Sequence, residues 1–175
     1  MKKLWIYAFV AGIFTLQSCE TQKKITNVQP TFEQKAKHKE IKTPDDALAE
    51  LKAGNKRFLN DEHTKLDYKN QIAATKDDQH PHSLILSCLD SRVPPEIIFD
   101  QGIGEVFVAR VAGNIETNEI LGSMEFATKV KGTKLIVVMG HTKCGAVSGA
   151  IDDAKLGNLT GLVKQIKPVV AKDKD

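Results

Sequence analysis

The chain lacks a charge of one sign. Its 175 residues carry 25 Lys and Arg against 22 Asp and Glu, a formal net charge of +3. That balance gives no electrostatic footprint for a nucleic acid, so nucleic-acid binding is excluded as a leading function. Long apolar runs are also missing. The longest, residues 4–16, is too short to span a bilayer comfortably. Repeats are absent, which excludes a solenoid or other repeat architecture. A phosphate-cradling glycine loop is lacking too. Gly102 and Gly104 have the first spacing of one, but position 107 is Phe107, and the segment precedes a strand rather than a helix. Cysteine is scarce, with three residues in all. With Cys19 set aside, Cys88 and Cys144 form either one disulfide or a pair of metal ligands, and their neighbours must decide.

What is present starts with an export signature. Lys2 and Lys3 form a basic head before the apolar run, the pattern of a secretory signal. The signal ends in Leu16-Gln17-Ser18-Cys19, which resembles a bacterial lipobox, although Gln17 is unusual there. Residues 1–19 are therefore expected to be a lipoprotein-type signal with Cys19 as the lipidation site. This implies an exported chain, lipid-anchored on the periplasmic or cell-surface side of a bacterial membrane. Removing Lys2 and Lys3 leaves 23 basic against 22 acidic residues. Residues 20–42 are polar and charged and read as a tether.

Residues 43–175 read as one domain. Thr43, Pro44, Asp45 and Asp46 open a helix with a cap, a proline suited to the first position and acidic residues that complement the dipole. Leu48, Leu51 and Phe58 can share one face of it. A second polar helix or coil follows near residues 68–75. Three short apolar segments, 83–87, 105–110 and 134–140, read as strands. Between the last two, Ile120, Leu121, Met124, Ala127 and Val130 fall at helical spacing, and Gly132 can end that helix. A small-residue helix follows Cys144, then an amphipathic one over "LTGLVKQIKPVV". Strands apolar throughout and separated by helices predict an α/β fold: a mostly parallel central β-sheet flanked by helices, covered on both faces.

The chemistry gathers at predicted strand ends. Cys88 follows the first strand, with Asp90 and Arg92 close behind it. His141 and Cys144 follow the third. Open parallel sheets collect functional groups outside the carboxyl ends of their strands, so this fold brings Cys88, His141 and Cys144 into one crevice. Two thiolates and an imidazole are three of the four ligands of a tetrahedral zinc, and an open fourth position marks a catalytic site. The same ligand set also admits cobalt or iron. Cys144 would begin a helix, where free N–H groups favour a thiolate. Asp90 could fill the fourth position itself. Alternatively, Arg92 holds Asp90 in a bidentate pair and leaves that position to water. Taken singly, the groups have plainer readings: a disulfide, a structural histidine, a surface ion pair.

The paired motifs "CLDSR" and "GHTKCG" resemble those of the β-class carbonic anhydrases. The similarity runs from about Pro44 to Ile166 and includes "ALAELKAGNKRF", "DSRVPPEIIFDQG" and "VARVAGN". The resemblance implies one Zn2+ per subunit, bound by Cys88, His141 and Cys144, and an Asp90–Arg92 catalytic dyad. It implies the reversible hydration of carbon dioxide to bicarbonate and a proton through a zinc-bound hydroxide, with Asp90 as a conditional fourth ligand. Two thiolates neutralise the ion, so a hydrogen-bond acceptor at Asp90 would favour the hydroxide. Related pockets also hydrolyse carbon disulfide or carbonyl sulfide. The resemblance further implies a homodimer, or a higher assembly of dimers, in which each subunit adds pocket residues to its neighbour's site. Gln79 matches the family's pocket Gln, Phe107 its apolar aromatic, and Phe126 stands where some members carry a Tyr. Leu89 and Val111 are departures that touch neither a ligand nor the dyad. The chain also ends earlier than family members usually do. His80 and His82 read as exposed loop residues, with proton shuttling as the sharper alternative.

Overall fold

The computed structural model describes residues 41–170. The expected signal with Cys19, and the tether up to residue 40, lie outside the described residues.

Helix α1 (Pro44–Leu59) begins as its sequence dictates. Asp46 N–H donates to Thr43 Oγ1 and Thr43 N–H to Asp46 Oδ2, both at 3.1 Å, a reciprocal capping box. The buried stripe is Ala47, Leu51 and Gly54, so Leu48 is left 38% exposed rather than sharing the core face with Leu51. Gly54 has a packing reason: a Cβ there would lie 1.8 Å from the Phe99 carbonyl oxygen. Helix α2 (Tyr68–Thr75) is capped by Asp67 and buries none of its residues.

Strands β1 (Ser83–Ser87), β2 (Val106–Arg110) and β3 (Leu135–Met139) form one parallel sheet in the order β2-β1-β3. Register pairs Ser87 with Arg110 on one side and with Met139 on the other. The short helix α3 (Pro95–Ile98) lies between β1 and β2. A 3-10 turn (Ala112–Asn114) and helix α4 (Asn118–Glu125), which closes in a π-helical turn (Phe126–Val130), connect β2 to β3. Helices α5 (Gly145–Ile151) and α6 (Gly157–Val170) follow, and α6 buries Val163 and Ile166. Among the described residues no helix is long and apolar enough to cross a membrane.

Both faces of the sheet are covered only at β1, where all five residues are buried. On β3 the residues alternate, with Ile136 38% and Val138 60% exposed. Register sets these two beside Leu84 and Leu86 on the same face. A central strand has neighbours on both sides. An edge strand depends on what packs over it, and the described residues leave this face of β3 open.

A buried carboxylate fastens α1 to the turn after α3. Asp100 accepts from Arg57 Nε at 2.5 Å, from Thr64 Oγ1 at 2.7 Å and from Thr64 N at 3.0 Å. Burial pushes its pKa up, but the Thr64 and Arg57 bonds outweigh burial and hold it below the ordinary value. A depressed folded-state pKa stabilises above the unfolded value near ~4 and is lost as pH falls through the folded value. Asp100→Ala leaves Thr64 without its partner and Arg57 with Glu50 alone, and is expected to destabilise by about 3 kcal/mol at neutral pH. Urea unfolding at pH 7 and pH 3 checks this: the gap between wild type and variant should shrink at the lower pH.

Candidate functional site

The strand order places the site. From β1 the chain crosses to one side to make β2, and later to the other side to make β3. The loops leaving β1 and β3 therefore diverge at their carboxyl ends, where an open parallel sheet forms its crevice. Cys88 is the first residue after β1. His141 and Cys144 lie in the turn after β3, where Lys143 adopts a left-handed φ of 56°. One ligand atom from each of Cys88, His141 and Cys144 lies within 4.8 Å of the others.

Both cysteines are buried and unbridged, with their sulfurs 3.8 Å apart. The disulfide alternative is therefore not what the structure holds. Two sulfurs each about 2.3 Å from a tetrahedral ion stand about 3.8 Å from one another, so this separation suits zinc. His141 carries the second mark of a metal site. Its Nδ1 lies 2.9 Å from the Thr142 carbonyl, which only accepts, so the ring proton belongs on Nδ1. Nε2 then presents a lone pair, and this atom is buried with no hydrogen-bond partner among the described residues. A buried, unpartnered nitrogen beside two thiols is costly unless a cation takes it up. The donor set fits zinc.

The environment favours charged sulfur. Burial pushes the Cys88 thiol up, but backbone N–H groups of Asp90 and Gly113, with His141 and Cys144 adding to them, bring it down to about 7. Gly113 N–H points at Cys88 Sγ from 3.3 Å. Gly113 has a φ of 72°, and a Cβ there would meet Ile166 Cδ1 at 2.4 Å, so this donor position requires glycine. The Cys88 sulfur in turn holds the His141 pKa above its ordinary value. Cys144 caps α5 with its backbone, while its side chain makes no cap hydrogen bond. Behind the ligands, Ala146, Ala150, Val163 and Ile166 form an apolar wall that joins both cysteines in one core cluster.

Asp90 faces this cluster, with Oδ2 3.8 Å from His141 Nε2. Arg92 engages it fully: Nε donates to Oδ1 at 2.9 Å, Nη2 to Oδ2 at 2.7 Å, and the Arg92 backbone N–H to Oδ1 at 2.9 Å. These bonds hold the Asp90 pKa well below the carboxylate range. Of the two arrangements open at the sequence level, the structure has Asp90 on Arg92. Arg92 Nη2 also reaches the Lys143 carbonyl at 3.4 Å, so it ties the β1 loop to the β3 loop.

The remaining candidates lie elsewhere in the described chain. Phe107 pairs in register with Leu84, four residues before Cys88 and so about 13 Å back along the strand. It packs edge-to-face with Phe126, ring centroids 6.3 Å apart. With Leu84, Ala109 and Ser123 these rings line a shallow cavity of about 450 Å³ on the β2–α4 side. Gln79 precedes β1 at the opposite end of the sheet, beside Thr75, Ile103 and Lys131. His80 is exposed. His82 corrects its expectation: it is buried, its ring bonded to Ser83 Oγ at 2.8 Å and Gln101 Oε1 at 2.9 Å. At the amino end of β1 it is roughly 20 Å from Cys88 along the chain, too far to shuttle a proton directly.

Arg110 and Gly113 carry functions the residue-level reading did not assign. Arg110 donates to backbone carbonyls of the Cys88–Asp90 loop. The available signal was a single arginine closing an otherwise apolar strand.

The comparisons agree with this geometry. Residues 83–175 match the family model described as carbonic anhydrase. The chain is 42% identical to carbonic anhydrase 2 of Mycobacterium tuberculosis over 129 residues, covering 69% of this chain and 61% of that protein. Among solved structures it is similar to a Coccomyxa β-carbonic anhydrase in complex with acetazolamide, at a TM-score of 0.57 and 27% identity, over 73% of this chain and 59% of that one. A tetrameric β-carbonic anhydrase from Sordaria macrospora gives a TM-score of 0.54 at 28% identity, over 72% and 62%. The chain thus spans about three fifths of the length of these relatives. With more than half of its residues matched and the Cys88–His141–Cys144 cluster lying where the sheet opens, the chain belongs to the carbonic anhydrase family, in its β-class.

Proposed function

We propose that the protein is a zinc-dependent carbonic anhydrase that interconverts carbon dioxide and bicarbonate. The observation that carries this reading is the Cys88, His141 and Cys144 donor set with an arginine-held carboxylate, Asp90, beside it. Cys88, His141 and Cys144 would hold the ion, and zinc, when bound, supplies the Lewis acid that makes water nucleophilic at neutral pH. Asp90 is suited to orient that water rather than to deprotonate it. Its carboxylate, with a pKa far below neutrality, accepts a hydrogen bond without keeping the proton. Arg92 bonds both Asp90 oxygens and fixes the carboxylate's orientation, leaving a lone pair on Oδ2, the oxygen that faces His141, for that hydrogen bond. The apolar wall behind the sulfurs limits water at the site and suits a small apolar gas.

Two further parts of the reading concern the setting. The protein works as a dimer or an assembly of dimers, in which Gln79, Phe107 and Phe126 serve a neighbouring subunit's pocket. The tetrameric Sordaria relative, and the distance of Phe107 from its own Cys88, support this. The mature chain is anchored through lipid on Cys19 outside the cytoplasm, a reading that rests on residues 1–19. Stopped-flow hydration of carbon dioxide by zinc-loaded protein tests the activity. The expected result is a rate above buffer that a chelator removes. Folded, zinc-loaded protein with no such rate would refute it.

A further inference from the structure

A guanidinium has five donors in a rigid fork and no acceptor, and it usually meets a carboxylate. Arg110, the last residue of β2, pairs with none among the described residues. Its fork goes to three consecutive carbonyls: Nε donates to Cys88 O at 2.9 Å, and Nη2 to Leu89 O at 3.2 Å and to Asp90 O. Three successive carbonyls cannot all point one way in a strand, where they alternate. The chain leaving β1 is therefore curled around this side chain.

The curl matters unequally along its length. At Cys88 it is one fastening among several, because Gly113 N–H holds the sulfur and Leu89 N–H bonds Val111 O at 3.2 Å. At Asp90 the other bonds are internal to the loop: Asp90 N–H to the Cys88 sulfur, Val93 N–H to Asp90 O at 3.2 Å, and the Arg92 bonds to the carboxylate. Arg92 reaches the neighbouring β3 loop only through its 3.4 Å bond to Lys143 O. Among the described residues, Arg110 is the strand residue that bonds Asp90 directly. We propose that Arg110 is a positioning residue for the hydration reaction, acting through Asp90 by anchoring its backbone while Arg92 orients its carboxylate. This rests on the carbonic anhydrase reading above.

The test compares zinc-loaded wild type with Arg110→Lys, which keeps the charge but loses the rigid planar fork that spans the three carbonyls. Amide hydrogen exchange over residues 89–92 is expected to rise about tenfold, with the β1 amides unchanged. The Arg92 amide, bonded to Asp90 Oδ1, is the most direct reporter. Turnover per bound zinc is expected to fall about tenfold, with KM changed by less than about twofold and zinc affinity largely kept. In an Asp90→Asn background the same Arg110→Lys change is expected to have no further effect on kcat. A lower melting temperature with unchanged kcat per zinc would make Arg110 merely structural and overturn the proposal. So would an undiminished tenfold loss in the Asp90→Asn background, or unchanged exchange at 89–92. If Arg110→Lys does not fold, Arg110→Gln is read in the same way, and failure of both to fold also overturns it. If wild type itself shows no hydration, the functional reading falls, and the exchange result alone decides whether Arg110 anchors the Asp90 loop.

Discussion

Cys144→Ala is expected to abolish chelator-sensitive hydration and to weaken zinc binding by roughly a hundredfold or more. The magnitude follows from dividing an apparent zinc-binding free energy of about 10–16 kcal/mol over four ligands, on the order of 3 kcal/mol each. The remaining Cys88 and His141 would make a two-ligand site, too few to keep zinc against dilution. Because Cys144 is in the core cluster with Ala146, Ala150, Val163 and Ile166, alanine keeps most of the packing there. The variant should therefore stay folded while losing metal. Competition against a chromophoric chelator, with circular dichroism as the folding control, measures both. Zinc retained within about threefold of wild type would remove Cys144 from the site.

Asp90→Asn carries the second large effect, and its signature is the opposite one. Zinc binding should change by less than about tenfold, since Asp90 is held by Arg92 rather than placed as a ligand. Turnover should fall by roughly a hundredfold to a thousandfold, the usual cost of removing one preorganised charged group from a reaction centre. The amide that replaces the carboxylate keeps one acceptor and adds a donor, which faces the donors of Arg92. The Arg92 fork is then left partly unsatisfied, and the water-orienting acceptor loses its charge. Stopped-flow rates per bound zinc separate this from metal loss. Equal losses of zinc and rate in Asp90→Asn would show that Asp90 acts as a ligand instead.

The gathering of Cys88, His141 and Cys144 beside Asp90 and Arg92 was legible in the sequence because these residues sit at strand ends, and short apolar runs are the clearest marks of a buried parallel sheet. Once residues 83–87 and 134–140 are strands, Cys88 and the His141–Cys144 turn must lie at the same edge of the sheet. Which way Asp90 turns was not legible, since spacing permits both arrangements; in the structure its carboxylate is bonded to Arg92. His82 was misjudged because its polar neighbours suggest a loop. Its N–H and C=O bond Glu105 O and Lys134 N at 2.9 Å each, which continues the ladder and buries the ring. Covering of the sheet was over-extended from β1 to β3, because apolar composition does not say which strand is at the edge. Arg110 escaped notice for a different reason. Its function lies in backbone carbonyls twenty residues away, and no pattern of side chains announces carbonyl partners.

The central claim is that Cys88, His141 and Cys144 form a zinc site whose fourth position is not taken by protein. X-ray absorption at the zinc edge of the loaded wild-type protein tests this most directly. The expected result is one zinc per chain with two sulfur ligands near ~2.3 Å, one imidazole nitrogen near ~2.0 Å, and one light-atom ligand that is unchanged in Asp90→Asn. A first shell without sulfur, or one whose light-atom ligand disappears in Asp90→Asn, would contradict it.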